Sequence, residues 1–482
     1  MSTSYIQTLA VLSKTPPRAV ESLFQQPIRI SLAPELRGNQ TYELAFAYAS
    51  NLLARMFPFT YSDYFSDGPL FRLLKRPLAS ASANVFAMEL VFGSHHQANA
   101  RKYQYASCSN WYVAAGEAPG RTSPEEPWNP ILALVTACYN VARVTSVVLG
   151  DYVSASDSLE PFSILDFKGG DVQFDWGRQV ETGYVHVAGI GAVGTAFLFT
   201  LAAHGQMRGT FRLIDEDPVE RRNLDNYSLF SQEDLGKNKT AQAKLLLGGL
   251  HLPAQFVSVP HKLQDYVNHQ ALLEPGLKIE KLISAPDRRE TRRQFQGLLP
   301  RRVWDGSTGP DDLVLHHNDF NPVRACLACI YNAVPDEDAH LNHVADVLNL
   351  PRERVRAGQQ ITEPDVERIR QRYPQLANAE LVGRAYDSVF KEMCSSGQLR
   401  IEDQVVLTPF PFVSALAGIL LYFDFLQSLR ADTFREYQNY NYLRLNPFYQ
   451  PNPAYRLLQA ARGDCPVCKN PIVRNIFNSL WS

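Results

Sequence analysis

Basic residues are not in excess in this sequence, and their lack argues against one broad class of function. The 482 residues include 47 Lys and Arg against 49 Asp and Glu, which gives a formal net charge of −2. A protein whose main activity is nucleic-acid binding needs a basic surface to neutralise phosphates. The charge balance therefore disfavours a nucleic-acid partner.

Long apolar runs free of charged residues are also lacking. The two most apolar stretches, residues 131–150 and 412–429, contain Arg143 and Asp424. Each stretch has the amphipathic spacing of a helix, which favours buried helices over membrane spans. The first 14 residues have no basic segment followed by an apolar one, as a signal peptide would. We therefore expect a cytoplasmic protein with no membrane partner.

Cysteine is scarce, but its spacing is informative. Four of the seven cysteines form two Cys-x-x-Cys pairs, and in a reducing compartment such pairs indicate metal ligation before disulfides. Two pairs complete a tetrahedral four-thiolate site that suits Zn²⁺, with an iron–sulfur cluster as the rival. A redox Cys-x-x-Cys would explain one pair but not two. The predicted ligands of a structural Zn²⁺ are Cys326, Cys329, Cys465 and Cys468.

Internal repeats and low-complexity segments are absent as well, and the chain is too long for one hydrophobic core. We predict an α/β fold: a doubly wound, mostly parallel, Rossmann-like sheet with a helical insertion and an N-terminal α/β domain. The predicted boundaries are 1–175 for the N-terminal domain, 176–334 for the first part of the sheet domain, 335–404 for the insertion and 405–482 for the closing part.

Strands and helices alternate in the sequence from about residue 180 to 332, which predicts a parallel sheet. An apolar helix is predicted over residues 130–149, where a proline opens it and Gly150 follows it. The strands predicted in the N-terminal domain are 85–93 and 111–115. The later predicted strands are 184–188, 211–214 and 281–284, and the other predicted helices are 194–204, 237–250, 352–356, 365–372 and 413–425.

A glycine-rich turn stands between the first of these strands and its helix. Gly189, Gly191 and Gly194 allow the backbone to turn tightly and approach a phosphate at the helix N-terminus. Asp215 ends the next strand, 21 residues after Gly194, where a carboxylate can bind ribose hydroxyls. This pattern fits a nucleotide-binding domain, and by itself it equally fits an NAD-dependent dehydrogenase.

The residues after Asp215 distinguish the two classes. The informative segments, in order, are Asp215-Glu216-Asp217-Pro218-Val219, Asn223-Leu224-Asp225-Asn226, Gly236-Lys237-Asn238-Lys239, Ala285-Pro286-Asp287, Asp305-Gly306 and residues 411–418. This order resembles the ThiF/MoeB/ubiquitin-activating-enzyme family, over residues 180–335 and 405–470. The resemblance also implies the four-cysteine zinc site.

The resemblance implies roles for individual residues in binding ATP and Mg²⁺. Attack of a carboxylate on the α-phosphate brings anions together, so cations must offset their repulsion. By position in the motifs, Gly189, Gly191 and Gly194 would line the ATP, and Asp215 would hold the ribose. Asn223 and Lys239 would contact the phosphates, and Asp287 would hold Mg²⁺. Asp217 is a further predicted cofactor-binding residue.

The sequence departs from the family pattern at two of these places. Asn226 stands where the family has an arginine, and Arg288 stands where it has an asparagine. We therefore expect another arginine to contact the phosphates. The candidates are Arg221, Arg222, Arg288 and Arg292.

Cys394 is the candidate nucleophile for a thioester. It stands between the charged helical segment and the closing helix, where thioester-forming members of the family carry theirs, and Lys391 is close to it in sequence. The alternative is an incidental free cysteine. Cys138 lies on the apolar helix and is predicted to be core, and Cys108 has little weight as a nucleophile.

The N-terminal region raises a second alternative. Residues 129–150 look like the family's closing helix, although a glycine turn is lacking upstream of them. The region is either a degenerate, inactive copy of the adenylation domain or an unrelated domain that recruits substrate.

The resemblance as a whole implies ATP-dependent adenylation of the C-terminus of a ubiquitin-like protein, thioester formation on Cys394, and transfer to a ubiquitin-conjugating-enzyme-like partner. It also implies a homodimer and, from stand-alone bacterial relatives, a role in antiviral defence. The alternatives are a sulfur-carrier adenylyltransferase, a non-catalytic ATP-binding partner subunit and, with least weight, an NAD-dependent oxidoreductase.

Overall fold

The structure, a computed structural model, describes most of the chain. The described residues are 6, 9, 10, 13, 16–74, 78, 79, 85–156, 159–168, 177–273, 277–332, 337–356, 360–374, 381–386, 389, 390, 393, 408–430 and 435–482. They form an N-terminal unit (16–168), a second unit (177–332 and 408–482) and an insertion in the second unit (337–393).

The N-terminal unit contains a six-stranded mixed sheet. Its helices are α1 (Pro17–Phe24), α2 (Gln40–Met56), α3 (Pro69–Arg72) and α4 (Pro130–Leu149), and its strands are β1 (Ile28–Leu32), β2 (Thr60–Tyr61), β3 (Met88–Phe92), β4 (Tyr103–Ser109), β5 (Tyr112–Gly116) and β6 (Leu159–Ser163). The strand order is β2-β1-β3-β4-β5-β6. The first four strands are parallel to one another, and β5 and β6 are antiparallel to their neighbours.

The second unit begins with alternating strands and helices. Its first part contains β7 (Val180–Ala188), α5 (Ala192–His204), β8 (Met207–Ile214), α6 (Lys239–Gly248), β9 (Ala254–Val259), α7 (Leu263–Leu273), β10 (Lys281–Ser284), α8 (Arg289–Gly297), β11 (Arg302–Thr308), β12 (Leu313–Asn318) and α9 (Leu327–Ile330).

The insertion is helical and has a hydrophobic core of its own. Its described helices are α10 (Glu337–Leu348), α11 (Arg352–Arg356) and α12 (Glu363–Arg372). Val344, Ile369 and Phe390 are fully buried in a cluster separate from the main core. The insertion therefore packs as a small domain on the second unit.

The chain then returns to complete the second sheet. This closing part contains α13 (Pro411–Leu429), β13 (Tyr442–Leu445), β14 (Arg456–Leu457) and α14 (Pro471–Trp481). The sheet order is β14-β13-β12-β11-β10-β7-β8-β9. Strands β7 to β11 are parallel, and β12 to β14 form an antiparallel edge. The predicted α/β class with a mostly parallel sheet is confirmed.

The two sheets share one topology. The order β2-β1-β3-β4-β5-β6 corresponds, strand by strand and with the same directions, to β8-β7-β10-β11-β12-β13. The helices correspond too: α2 follows β1 as α5 follows β7, and α4 precedes β6 as α13 precedes β13.

The corresponding helices of the two units pack together in one continuous core. Helix α13 packs on α5 and α4, and α4 packs on α2. Tyr48 of α2 stacks on Phe199 of α5 with ring centroids 5.4 Å apart. At the crossing of α13 and α5, a Cβ on Gly418 would lie 2.3 Å from the Val193 carbonyl oxygen, so only glycine allows this approach.

Among the described residues, two helices are long and apolar enough to cross a membrane by length and composition. They are Pro130–Tyr152 and Pro411–Leu429, and 89% and 94% of their apolar windows are buried inside the fold. Burial by protein explains their composition. Helix α4 begins with Pro130 after an Asn129 cap, whose side chain accepts the Leu132 N–H at 3.0 Å, and ends at Gly150 with φ 55°.

Candidate active site

The glycine turn lies at the carboxyl end of β7, where the chain enters α5. Gly189 has φ +95°, and a Cβ there would lie 2.5 Å from the carbonyl oxygen of Ala285, which follows β10. A Cβ on Gly194 would lie 2.0 Å from the Gly189 carbonyl oxygen. Both positions therefore need glycine, one for the turn and one for close packing of α5 under it. Gly191 is the residue that precedes α5, and it faces a cavity.

That cavity has a volume of about 950 Å³ and opens at the carboxyl ends of β7, β8 and β10. In open parallel sheets, ligands bind at this edge. Six of the residues predicted to bind ATP or Mg²⁺ line it: Gly189, Gly191, Asp215, Asp217, Lys239 and Asp287. Its far wall belongs to the insertion and includes Leu341, Val355 and Tyr386.

Asp215, Asp217 and Lys239 form a charged cluster on the cavity wall. The buried Lys239 Nζ donates to Asp217 Oδ2 at 2.9 Å and lies 3.6 Å from Asp215 Oδ1. Asp215 also accepts the backbone N–H of Ile190 at 2.7 Å, so it fixes the glycine turn. Lys239 stands at the start of α6, which Asn238 caps.

Burial and mutual attraction shift the pKa values of this cluster. Burial disfavours the charged form of Lys239, but Asp215, Tyr227 and Asp217 outweigh it and hold the pKa of the ammonium well above its ordinary value. Burial likewise opposes ionisation of Asp217, yet Lys239 lowers the pKa of its carboxyl group. Burial raises the pKa of Asp215, against the attraction of Lys239. A permanent cation therefore faces the cavity.

Asn223 lies behind the cavity wall. It is buried, and its Oδ1 accepts the backbone N–H of Glu220 at 2.8 Å, which closes a short 3₁₀ turn over Arg221–Asp225. The residues of this segment that line the cavity are Arg222, Asn226 and Tyr227. Phosphate contact by Asn223 stays a prediction, and in the described residues its side chain shapes the turn that presents these neighbours.

Asp287 stands on the opposite wall of the cavity, together with Arg288, which follows it, and Arg292 of α8. Arg288 and Arg292 both line the cavity. Arg292 is buried and donates to the Asp305 carboxylate and to the Pro286 carbonyl, next to Asp287. Arg292 therefore holds the loop that carries the predicted Mg²⁺ ligand.

A carboxylate that the sequence indicated only by its motif, Asp305, is the centre of this loop's network. Its carboxylate accepts from Ser284 Oγ and Tyr331 Oη, each at 2.6 Å, as well as from Arg292. These donors come from β10, α8 and the segment after α9. Asp305 is fully buried, and its pairing positions the cavity wall that Asp287 lines.

The four predicted zinc ligands converge at a second place, beneath α9. Their Sγ atoms lie within 4.8 Å of one another and all four residues are buried. The Sγ–Sγ distances are 3.9 Å for Cys326–Cys329, 3.7 Å for Cys326–Cys465 and 3.5 Å for Cys329–Cys468. A tetrahedral zinc with Zn–S bonds of about 2.3 Å needs sulfurs about 3.8 Å apart. The cluster therefore fits a structural Zn²⁺ that joins α9 to the segment before α14.

The remaining cysteines differ in their surroundings. Cys138 is fully buried on α4, as predicted. Cys108 is also buried, and burial raises the pKa of its thiol to about 12, which makes it a poor nucleophile. Cys394 lies outside the described residues. The adjacent Met393 and nearby Phe390 belong to the core of the insertion.

The fold and this cavity define an α/β protein with a glycine turn and a charged cavity at the carboxyl ends of its parallel strands. Residues 171–466, more than half of the chain, match the family described as the ThiF family. The chain therefore belongs to the ThiF family and is adenylyltransferase-like.

Two curated proteins are similar to this chain. An uncharacterized protein, y4jF, of Sinorhizobium fredii is 26% identical over 340 residues, covering 65% of this chain and 64% of that protein. The sulfur carrier protein ThiS adenylyltransferase of Escherichia coli is 27% identical over 125 residues, covering 26% of this chain and 47% of that protein. The chain thus spans less than two thirds of the length of either relative.

Crystal structures of MccB from E. coli are also similar. One, with MccA-N7isoASN, is 15% identical with a TM-score of 0.35, over 60% of this chain and 68% of that chain. MccB alone is 17% identical with a TM-score of 0.36, over 61% and 66%.

Proposed function

We propose that this protein adenylates the C-terminal carboxylate of a ubiquitin-like protein and then carries the acyl group as a thioester on Cys394. The observation that carries the proposal is the shape and charge of the cavity. Its inner end has the glycine turn and the Lys239 cation, and its far wall belongs to the insertion that precedes Cys394 in the chain.

The first step is attack of a carboxylate oxygen on the α-phosphorus of ATP. The bond from that phosphorus to the bridging oxygen breaks, and an acyl-adenylate and pyrophosphate form. Lys239 stabilises the charge that develops on the phosphoryl oxygens, and the N–H groups at the start of α5 receive the phosphates. When bound, Mg²⁺ would be held by Asp287 and would neutralise phosphate charge.

The second step is transfer of the acyl group to sulfur. The Cys394 thiolate attacks the acyl carbonyl carbon, and the carbon–oxygen bond to AMP breaks, so that a thioester and AMP result. A conjugating-enzyme-like partner then accepts the acyl group on a thiolate of its own. The packing of Phe390 and Met393 supports this step, because they share a hydrophobic core with the insertion residues that line the cavity.

We also propose that the N-terminal unit is a degenerate copy of the adenylation unit. The strand-for-strand correspondence of the two sheets supports a copy over an unrelated recruiting domain. The loop after β1 contains Pro34 in a 3₁₀ turn where the loop after β7 has its glycine turn. The copy would therefore not bind a nucleotide. Homodimer formation, the cytoplasmic location and the defence role stay predictions.

The experiment measures the two steps separately, with a ubiquitin-like protein as the substrate. Wild type should exchange labelled pyrophosphate into ATP and form an adduct that dithiothreitol releases. Cys394→Ala should keep the exchange and lose the adduct. Cys108→Ala is the matched control and should keep both, because Cys108 is buried away from solvent.

The results can contradict either half of the proposal. Absence of exchange in wild type would favour a non-catalytic partner subunit. An adduct that persists in Cys394→Ala would mean that the nucleophile lies elsewhere.

A second candidate is activation of a sulfur carrier, which the similarity to ThiS adenylyltransferase favours. That reaction would end at the acyl-adenylate or at a thiocarboxylate. Exchange without any adduct in wild type would support it.

A further inference from the structure

One ion-pair chain connects the insertion to the nucleotide cavity. Arg384 of the insertion donates through Nε to Glu220 Oε1 at 3.2 Å. The other oxygen of the same carboxylate, Oε2, accepts from Nε of Arg222 at 2.7 Å. Arg222 lines the cavity, so a single carboxylate lies between a cation of the insertion and a cation of the site.

Each member of the chain is fixed by its own element. Glu220 caps the 3₁₀ turn Arg221–Asp225 by accepting the backbone N–H of Asn223. Arg384 is held to the insertion by two backbone hydrogen bonds, from the Ile361 N–H to the Arg384 carbonyl and from the Gly383 N–H to the Ile361 carbonyl, each 2.8 Å long. The distance between Arg384 and Glu220 therefore reports how the insertion sits on the second unit.

The two ion pairs of Glu220 are shielded from solvent, so screening by water weakens them little. Only 10% of the Glu220 side chain and 17% of the Arg384 side chain are exposed. Burial opposes the charged form of Glu220, but Arg222 and Arg384 outweigh it and lower the pKa of its carboxyl group. Glu220 is therefore an anion shared between two arginines.

Arg222 is also in the right place to replace the arginine that the family has at Asn226. Both residues line the cavity from the same turn, and the charge of Arg222 acts on Asp217 and Tyr227, which line it too. A guanidinium there adds to the positive potential that Lys239 provides for a triphosphate.

We propose that Arg384 is a positioning residue that acts through Glu220 on Arg222, so that seating of the insertion strengthens binding of ATP. The inference rests on the proposed function and extends it. With the insertion seated, Arg384 takes up part of the Glu220 charge, so the charge of Arg222 attracts the phosphates more strongly. With Arg384 withdrawn, the full charge of Glu220 acts on Arg222 and weakens the attraction for the phosphates. By linkage, bound ATP would favour the seated insertion equally.

The test measures binding of ATP with Mg²⁺ to the full-length protein by isothermal titration calorimetry. Arg384→Ala should weaken binding between about three- and tenfold, the range for coupled neighbouring charges. Arg222→Ala should weaken binding at least as much. The variant that combines Arg384→Ala with Arg222→Ala should bind ATP no more weakly than Arg222→Ala alone. Arg352→Ala is the matched control, because Arg352 belongs to the same insertion but pairs with Asp346 at an exposed position.

Rescue separates positioning from a structural role. Glu220→Gln keeps an oxygen for the turn and removes the charge, so Arg384→Ala combined with Glu220→Gln should bind ATP as tightly as wild type. The proposal would be overturned if Arg384→Ala combined with Glu220→Gln bound ATP as weakly as Arg384→Ala alone. It would also be overturned if Arg384→Ala bound ATP with wild-type affinity.

The two proposals fail in distinguishable ways. If wild type binds ATP but the variants do not show the expected changes in affinity, the proposed role of Arg384 is wrong and the proposed function stands. If wild type does not bind ATP, the proposed function fails, and the proposed role of Arg384 fails as well.

Discussion

Single side chains decide the chemistry of the cavity, and Asp287 is the most direct test of it. We expect Asp287→Ala to reduce ATP–pyrophosphate exchange by about 100-fold or more, because loss of a metal-holding carboxylate removes the charge stabilisation of the transition state. Thermal unfolding should change little. Asp265→Ala, at an exposed position on α7, is the control and should keep full exchange. Exchange by Asp287→Ala at the wild-type rate would refute the assignment.

At the scale of single residues, the sequence identified several residues that line the cavity but not the hydrogen bonds that hold them in place. Gly189, Gly191, Asp215, Asp217, Lys239 and Asp287 line one cavity, because parallel strands end at one edge of the sheet, and their roles in binding ATP and Mg²⁺ stay predictions. The sequence did not predict that Asn223 turns its side chain to the Glu220 N–H, or that Arg292 is occupied by Asp305. Such pairings depend on which side of a loop faces the core, and a linear motif does not encode that.

Helices and strands carry the next set of consequences, and the crossing of α13 over α5 is the sharpest. Gly418→Ala should lower the stability of the protein by about 1–3 kcal/mol, because the added Cβ would meet the Val193 carbonyl oxygen and the Phe197 backbone nitrogen at 2.3 and 2.7 Å. Urea unfolding measures the change.

Gly248→Ala is the matched control for this substitution. Gly248 ends α6, and nothing lies within 4 Å of a Cβ placed there. We expect it to leave stability unchanged or to raise it by up to about 1 kcal/mol. Equal losses for both substitutions would mean that the helix crossing is not the cause.

The four-cysteine cluster joins α9 to the segment before α14, so its loss should affect folding. Cys326→Ser or Cys465→Ser should lose zinc and fold poorly, because metal-binding energy in such a site is also folding energy. Metal analysis of wild type should find one zinc per chain. Cys138→Ala, a buried cysteine outside the cluster, should keep its zinc. Iron in the wild-type protein, or full zinc in the serine variants, would contradict the assignment.

Element prediction from the sequence succeeded where apolar residues are continuous. The strand Lys281–Ser284 and the helix Pro130–Leu149 were predicted with their observed bounds. β7 was predicted to begin at Tyr184, yet it begins at Val180. Glu181, Gly183 and Tyr184 are exposed there, so the hydrophobic pattern does not mark the first half of the strand.

At the scale of the whole molecule, the described residues form two units of one topology with one glycine turn, which predicts the nucleotide stoichiometry. Calorimetric titration should saturate at one ATP per chain, because the loop after β1 starts its turn with Pro34 and has no glycine pair to receive a phosphate. Gly189→Val, which would fill the space next to Ala285, should abolish the single site. Two ATP molecules per chain would mean that the N-terminal unit also binds.

The continuous core between the units has a genetic consequence. Arg55 of the N-terminal unit donates to the Leu224 carbonyl, and Tyr48 bonds Ser228 at 2.9 Å, so the cavity wall rests on residues of both units. When a site combines residues from two copies of a chain, two different defective alleles can restore activity when mixed. Here Arg55, Tyr48 and the wall that they support belong to the same chain. Alleles damaged in α2 and in the glycine turn should therefore fail to complement each other.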